Sequence, residues 1–433
     1  MLIEFRVENH RSLRDEQVLT MQAGQVGDPD DDRPRLVPGY AQRLLPVAAI
    51  YGANASGKSN VLEALATMRE AVASSHRTWP PNGGVARAPF AWGPKRREPS
   101  LFEVSMVLDG VRYQYGFTAN DERFLEEWLH AWPSKRKQTW FERVDDKFSF
   151  SASLKGENKL IESVTRPNAL FLSAAAQHQH PQLEKISLWF NFLQTLSVPR
   201  GAAPLDSSVY SSAVASTYLV AEQQSSKSIP MNSAHLGFNR DKSMSALLRG
   251  IKNLLRESDT GVTDIRFVQP ETGSMRGDRN QARVEFKHKS KAKDAWLAFE
   301  QESKGTQILF SMGIPTLLKI ERGGVLLVDE LEASLHPAIG QHIIRLFNDP
   351  KTNPRNAQLI FTTHDTNLLG TTLGEPVLRR DQVWLTEKDD EGATVLYPLT
   401  DFKPRKAENI ERGYLQGRYG AVPFLGDFVA AGE

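Results

Sequence analysis

The chain of 433 residues contains no cysteine, which excludes disulfides, thiolate metal sites and cysteine nucleophiles. It also lacks an excess of one charge, because 53 basic and 52 acidic residues give a formal net charge of +1. Overall charge therefore indicates no general attraction to nucleic acid, although local basic patches remain compatible with it. No apolar run approaches the ~18 residues that a membrane-spanning helix needs. We expect a cytoplasmic protein without a membrane partner.

What the sequence does contain, close to its N-terminus, is a phosphate-binding pattern. Residues 52–59 match G-x-x-x-x-G-K-[ST], between a strand-like apolar segment at 46–51 and a helix-like segment after residue 59. Glycines let successive N–H groups face an anion, and the new helix end adds partial positive charge. We expect Lys58 to reach the β- and γ-phosphates of ATP and the Ser59 hydroxyl to hold Mg²⁺. The alternative is a Gly/Ser turn that only caps a helix. The nucleotide-binding residues predicted from this loop are Gly52, Asn54, Ser56, Gly57, Lys58, Ser59 and Asn60.

A second motif is the apolar run at 325–328, which ends in two acids, Asp329 and Glu330. A buried parallel strand presents such acids at its carboxyl end, where ligands bind. We predict that Asp329 holds Mg²⁺ through its water shell and that Glu330 polarises the attacking water as general base. The alternative is a buried strand that ends in two surface acids.

Two further segments could complete a nucleotide site. The apolar segment 357–363 is followed by His364, which would contact a γ-phosphate from the same sheet edge. A lone histidine at a strand end is usually structural, so this prediction depends on the two motifs before it. Ser303 is suited to cap the helix predicted after it, and a helix start with Gly305 and free N–H groups is also an anion site. Simple capping is the alternative.

The order of segments predicts an α/β protein with three parts. Residues 1–180 would form an N-terminal ATPase lobe with the P-loop and an antiparallel sheet, since segments 101–107 and 111–117 alternate around an Asp-Gly turn. Residues 181–260 predict a helical insertion with at most a short coiled coil. Residues 261–433 would form a C-terminal ATPase lobe with the βα rhythm of a parallel sheet.

The order of these motifs resembles the ABC-type ATPases of the SMC/Rad50-like class. Within that class it resembles the AAA15/AAA21-type group, which includes RloA-like, abortive-infection and PARIS-system ATPases. The resemblance extends over essentially the whole chain and implies an ABC-type P-loop NTPase head with an antiparallel β subdomain and a helical insertion. The segments that carry it are residues 52–60, 302–307, 329–337, 362–365 and 414–423.

The resemblance also implies how two copies of the chain would share ATP. Ser303 and Gly305 would form the signature loop, pressed onto ATP held by a second subunit. Residues 332–335 would form the D-loop, and His364 would be the switch histidine. ATP would close a head-to-tail dimer, which could form part of a higher oligomer.

One feature departs from the pattern of this group, and one residue of the pattern is not assigned. The signature has Ser-Lys-Gly-Thr-Gln in place of Ser-Gly-Gly-Gln, and Lys304 could alter the affinity for phosphate. The glutamine of the Q-loop is not identified, since Gln114 and Gln177 are both candidates.

The function implied by the resemblance is that of a regulator ATPase in anti-phage defence. Its partner would be a separately encoded effector, a toxin or a nuclease often of the toprim type, and its trigger DNA or a phage protein. Fold and ATPase chemistry do not select a pathway, so a DNA repair ATPase that binds DNA through patches such as 135–137 is an alternative. A self-sufficient nuclease is another, because Asp264, Glu285 and Lys287 have the D…E-x-K spacing of a metal site. Alternating charges on a solvent-facing strand produce the same spacing.

Overall fold

The chain forms two compact units, which are seen in a computed structural model. The first unit comprises residues 1–196, 322–331 and 341–433, and the second comprises residues 197–321 and 332–340. The structure describes residues 1–26, 30–197, 240–258, 260–268, 283–292, 294–333, 335–371, 374–405 and 408–423.

One layer of the first unit is a seven-stranded sheet with the order β2-β1-β4-β5-β6-β7-β8. The hairpin between β4 and β5 has a two-residue turn in which Asp109 and Gly110 have φ angles of 49° and 75°. Positive φ at both positions is what a type I′ hairpin turn requires. The predicted antiparallel subdomain is confirmed. Its strands are β1 (Leu2–Glu8), β2 (Gln17–Thr20), β4 (Ser100–Leu108), β5 (Val111–Ala119), β6 (Phe124–Trp132), β7 (Gln138–Val144) and β8 (Lys147–Phe150).

A six-stranded sheet with the order β16-β15-β3-β14-β13-β9 carries the predicted motifs. Within it β15, β3, β14 and β13 are parallel, whereas β16 runs antiparallel to β15. Both β3 and β14 are buried along their whole length, which explains why their sequences show no polar alternation. The strands are β3 (Val47–Gly52), β9 (Gln194–Ser197), β13 (Val325–Asp329), β14 (Gln358–Thr362), β15 (Val383–Lys388) and β16 (Thr394–Pro398).

Helix α1 (Lys58–Ser74) begins directly after the glycine loop and joins the two sheets in one core. Its buried side chains include Val61 and Met68, which share that core with Ile50 of β3 and Phe102 of β4. The start of α1 is therefore fixed against both layers. The other helices of the chain whose bounds the structure describes are α2 (Asn158–Val164), α3 (Phe171–Gln177), α4 (Glu184–Asn191), α5 (Arg240–Glu257), α6 (Lys304–Arg322), α7 (Pro337–Asn348) and α8 (Ile410–Leu415).

The second unit has its own small sheet and core. Strands β10 (Val262–Val268), β11 (Arg283–His288) and β12 (Trp296–Ala298) are antiparallel neighbours in that order. Leucines of α5 and Phe310 of α6 lie in one buried cluster with Phe286 of β11. Helix α6 is therefore packed against the sheet and α5 within this unit.

The predicted insertion at 181–260 lies only partly within the described residues, since 198–239 fall outside them. The described parts are helices α4 and α5 and the short strand β9, where the sequence predicts mainly helix. A strand of four residues is too short for its periodicity to stand out. The three-part division at 180 and 260 stays a prediction. Among the described residues, every helix is too short or too polar to cross a membrane.

Candidate nucleotide site

The carboxyl ends of the parallel strands bring the sequence motifs of the first unit to one edge of the sheet. Strand β3 leads into loop 52–59, β13 ends at Asp329, and β14 ends just before His364. Because β14 lies between β3 and β13, the loop and the acids come from strands that are not adjacent. Open α/β sheets bind their ligands at this edge.

The lysine of the glycine loop forms hydrogen bonds with the backbone of that loop. The Lys58 Nζ donates to the carbonyl oxygens of Gly52 at 2.8 Å and Ala53 at 2.9 Å, and the side chain is buried. Gly57 has a φ of 104°, and a Cβ at this position would lie 2.0 Å from Thr394 Oγ1. Only glycine fits there without moving the neighbouring strand. Asn54 is exposed at the tip of the loop.

The two predicted magnesium ligands are in direct contact. Ser59 Oγ donates to Asp329 Oδ1 at 2.9 Å, and Thr362 Oγ1 donates to the same oxygen at 2.6 Å. Carboxylate and hydroxyl oxygens are ligands that Mg²⁺ accepts, so this donor set fits the ion. The sequence analysis missed Thr362, for which the only signal was a polar residue at the end of an apolar strand.

Glu330 has an unusual backbone conformation. Its φ of 55° lies in the left-handed region, and its N–H donates to Thr362 Oγ1 at 2.8 Å. The next residue, Leu331, donates its N–H to the Thr362 carbonyl oxygen at 3.1 Å. Non-glycine residues in sparsely populated backbone regions cost of order 1–3 kcal/mol and cluster at functional sites. Thr362 therefore contacts both acids and supports this turn.

His364 is exposed and lies two residues after the end of β14. The residue before it, Thr363, donates its N–H to the Ile50 carbonyl oxygen of β3 at 3.1 Å. After it, Asp365 Oδ1 accepts from the Asn367 N–H at 3.0 Å and caps a short 3-10 helix. The segment is thus held at the same sheet edge as the loop, and its contact with a γ-phosphate stays a prediction.

Hydroxyl groups from distant parts of the chain support the loop. Ser56 Oγ lies 2.7 Å from Thr386 Oγ1, and the Ser56 carbonyl accepts from Thr394 Oγ1 at 2.7 Å. Asn60 Nδ2 donates to Ser12 Oγ at 2.5 Å, and Ser12 Oγ lies 2.7 Å from Thr394 Oγ1. The predicted residues Ser56 and Asn60 therefore form hydrogen bonds with side-chain hydroxyl groups of the segments around the loop. No motif in the sequence pointed to Ser12, Thr386 or Thr394.

The predicted signature residues belong to the second unit. Ser303 Oγ accepts from the Thr306 N–H at 3.1 Å, so the predicted cap of helix α6 is confirmed. Gly305 lies in the first turn of that helix. Before them, the buried Glu302 pairs with His288 at 2.6 Å, which fixes the approach to the helix. Anion binding by this helix start stays a prediction.

The acids proposed for a nuclease site have basic partners. Asp264 Oδ1 lies 2.5 Å from Lys252 Nζ, and Glu285 Oε2 lies 2.6 Å from Arg266 Nη2. The Lys287 ammonium lies over the Trp296 ring at 5.8 Å. Across the part of the chain that the structure describes, no three His, Cys, Asp or Glu residues are grouped to hold a metal. The two acids of the D…E-x-K spacing therefore pair with a lysine of helix α5 and with an arginine of the neighbouring strand β10.

The two candidate glutamines of the Q-loop lie on different elements of the first unit. Gln114 is within β5, opposite Ser105 of β4, and Gln177 is the last residue of α3. Neither position favours one candidate over the other, and the Q-loop stays unassigned.

A family model described as "AAA domain, putative AbiEii toxin, Type IV TA system" matches residues 47–370. The chain belongs to this family, AAA_21. The match begins at β3 and includes the glycine loop, Asp329, Glu330 and His364, so the predicted resemblance to the AAA15/AAA21 group is confirmed. Membership places this AAA_21 protein in the P-loop ATPase class.

Several solved structures of SMC head domains are similar to this AAA_21 protein over 92% of its length. An SmcHead bound to the C-winged helix domain of ScpA has 12% identity, 96% of its chain covered and a TM-score of 0.42. The SMC head domain from Thermotoga maritima has 11% identity, 98% of its chain covered and a TM-score of 0.39. A third structure is an Smc head domain with an extended coiled coil, bound to the C-terminal domain of ScpA derived from Pyrococcus furiosus. It has 12% identity, 95% of its chain covered and a TM-score of 0.41. No curated protein matches the sequence significantly.

The predicted α/β fold class is confirmed. Two observations support it: the parallel strands of the six-stranded sheet and the match to the AAA_21 family.

Proposed function

We propose that this AAA_21 protein is a cytoplasmic switch that binds Mg·ATP between two copies of the chain and hydrolyses it. The observation that supports this most strongly is the hydrogen bond between Ser59 and Asp329. It joins the hydroxyl of the glycine loop with an acid from a strand two positions away in the sheet. Such a pair of oxygens is the arrangement by which P-loop NTPases hold their metal ion.

In this proposal the residues of loop 52–59 bind and orient the triphosphate. Its backbone N–H groups would surround the phosphates, and the Lys58 ammonium would bind the β- and γ-oxygens. Ser59 and Asp329 would hold Mg²⁺, which neutralises phosphate charge when bound. Glu330 would accept the proton of the attacking water as general base. His364 would contact the γ-phosphate from the end of β14.

The second half of the site would come from another copy. Ser303 and Gly305 lie at the start of the 19-residue helix α6, and a helix N-terminus favours an anion. A γ-phosphate held by one copy would bind the α6 start of its partner, so ATP would close a head-to-tail dimer.

The Ser303→Arg variant tests the dimer. We expect it to abolish ATP-driven dimerisation, measured by light scattering with an ATP analogue, while binding of ATP to the single site persists. The bulky side chain would occupy the place of the phosphate, and loss of the cap would cost about 1 kcal/mol of stability. Ser290→Arg makes the same exchange at another exposed serine of the second unit and should dimerise normally. Normal dimerisation of Ser303→Arg would contradict the shared site.

We further propose that the switch regulates a separately encoded effector, a toxin or a toprim-type nuclease, in anti-phage defence. The family description, which names a toxin of a TA system, supports this role at the level of the family. The trigger of the switch would be a phage protein. The competing hypothesis of direct action on DNA is favoured by one feature, the exposed basic residues Lys135, Arg136 and Lys137 on the turn between β6 and β7.

An ATPase assay on the purified protein separates the two roles. The switch proposal predicts hydrolysis that depends on Mg²⁺ and is unchanged by duplex DNA. A repair ATPase would be stimulated by DNA, and the stimulation would fall steeply with salt because phosphate contacts release counterions. Absence of hydrolysis under all conditions would contradict both.

A further inference from the structure

A buried acid directly precedes the helix start that would bind the phosphate of a second copy. Ser303 and Lys304 are exposed, whereas only 3% of the Glu302 side chain is exposed. The first N–H groups of a helix have no partner within the helix, and they attract any nearby anion, a carboxylate as well as a phosphate. A free Glu302 carboxylate would therefore compete with the phosphate for these groups, and its charge would repel the ligand.

His288, the last residue of β11, binds this carboxylate. Its Nε2 lies 2.6 Å from Glu302 Oε1, and because a carboxylate oxygen only accepts, the ring nitrogen donates. Hydrogen bonds to an ionised group are roughly twice as strong as those between neutral groups. The buried carboxylate is thus engaged by the small sheet of the second unit.

The backbone of the small sheet holds His288 in place without the help of Glu302. The His288 N–H donates to the Ala295 carbonyl oxygen at 2.9 Å, and the next N–H, that of Lys289, donates to the Gly261 carbonyl oxygen at 3.1 Å. Gly261 has a φ of 75°, and a Cβ at this position would lie 3.5 Å from His288 Nδ1. The imidazole ring therefore lies against the turn before β10, where it can act as a fixed donor.

The backbone that leads into α6 is also held by contacts that do not involve the carboxylate. Gln307 Nε2 donates to the carbonyl oxygens of Phe299 at 3.0 Å and of Glu302 at 3.2 Å. The ring of Phe299 packs against Phe286 of β11 and Phe310 of α6, with centroids 6.1 Å and 5.8 Å apart. Loss of the bond to His288 would therefore release the Glu302 side chain while the helix start keeps its place.

We propose that His288 is a positioning residue that holds the Glu302 carboxylate away from the start of α6, so that this helix end stays available to the phosphate of a second copy's ATP. The inference rests on the proposed ATP-closed dimer and assigns a residue that no motif of the sequence indicates. His288 acts through Glu302 and does not itself contact the nucleotide.

The test compares His288→Leu with Arg266→Leu in the full chain. Each variant removes the partner of one acid in the same three-stranded sheet, but only His288 contacts the residue before Ser303. We expect His288→Leu to weaken dimerisation driven by an ATP analogue about 10-fold or more, the loss that one hydrogen bond to a charged group accounts for. Light scattering over a range of protein concentrations measures it. Binding of ATP to the single site should persist, and Arg266→Leu should dimerise like the wild type.

A double variant separates the effect of the carboxylate from a loss of packing. His288→Leu combined with Glu302→Gln removes the competing charge, and dimerisation should return to near the wild-type level. A packing defect at residue 288 would persist in the double variant. Unfolding temperatures of all variants are measured alongside.

Two polar replacements keep the test decisive if His288→Leu does not fold. His288→Gln retains an amide donor within reach of Glu302 and should dimerise well, whereas the shorter side chain of His288→Asn should not reach it and should dimerise poorly. Wild-type dimerisation of the leucine or asparagine variant, or a double variant no better than His288→Leu, would overturn the role of His288 while the shared site stands. A wild-type protein that does not dimerise with the analogue would instead overturn the proposed dimer and this inference with it.

Discussion

Replacement of Lys58 by alanine is expected to lower the affinity for Mg·ATP about 100-fold or more, so that binding is no longer measurable at micromolar nucleotide. The ammonium is the one cation of loop 52–59, and truncating one partner of a buried charge pair typically costs about 2–5 kcal/mol. Titration calorimetry with a slowly hydrolysed analogue measures the loss directly.

Controls for this prediction address stability and charge. Lys58 is buried and bonds two loop carbonyls, so Lys58→Met, which retains most of the side-chain volume, should lose ATP binding as well. Lys137→Ala removes an equal charge from an exposed turn and should leave affinity unchanged. Retained affinity in a folded Lys58→Ala protein would contradict the assignment of the loop.

The second large effect is expected for Glu330→Gln, in which hydrolysis should fall about 10²–10⁴-fold, as is typical for the loss of a general base. The amide has nearly the same shape, and the backbone bond from Glu330 to Thr362 does not involve the side chain. ATP binding should therefore persist, and an ATP-closed dimer should accumulate. Single-turnover hydrolysis of radiolabelled ATP, compared with nucleotide affinity, separates the two effects.

Glu300→Gln is a matched control for this prediction, because it removes one exposed glutamate of the second unit and should hydrolyse ATP normally. Near-normal turnover of Glu330→Gln would remove Glu330 from the role of base. Parallel losses of binding and turnover would indicate that the acid serves binding instead.

The sequence was most informative where backbone geometry requires particular residues. The loop at 52–59 needs glycine at Gly57, where a Cβ would collide with Thr394, and β13 and β14 are apolar because both are buried in the sheet. Because parallel strands end at one edge of a sheet, the loop after β3 and the acids after β13 were expected at the same edge, where Ser59 and Asp329 are in contact. Both the fold class and the main motifs could therefore be predicted.

The supporting contacts of the site could not be predicted in the same way. Thr394 lies 338 residues from Ser56, whose carbonyl oxygen it bonds. Serine and threonine occur throughout the chain, and only tertiary packing selects the few that contact the loop. The strand β9 was missed because four residues are too few to show a period.

A charge pattern in the second unit suggested a nuclease site as an alternative, but its acids form ion pairs, and the described residues contain no group of three metal ligands. Asp264 and Glu285 have the spacing of metal ligands, but each faces a basic residue on a neighbouring element. The pair of Glu285 with Arg266 joins two antiparallel strands, where opposite charges stabilise the sheet. Asp264 pairs with Lys252 of helix α5 instead. Both acids thus stabilise the second unit, and the sequence alone does not distinguish this role from metal binding.

The measurement that tests the central claim most directly is a structure of the protein with Mg²⁺ and a non-hydrolysable ATP analogue. It is expected to show the β- and γ-phosphates within loop 52–59, the metal beside Ser59 and Asp329, and Ser303 of a second copy at the γ-phosphate. An analogue bound away from the loop, or a metal remote from both Asp329 and Glu330, would contradict the account.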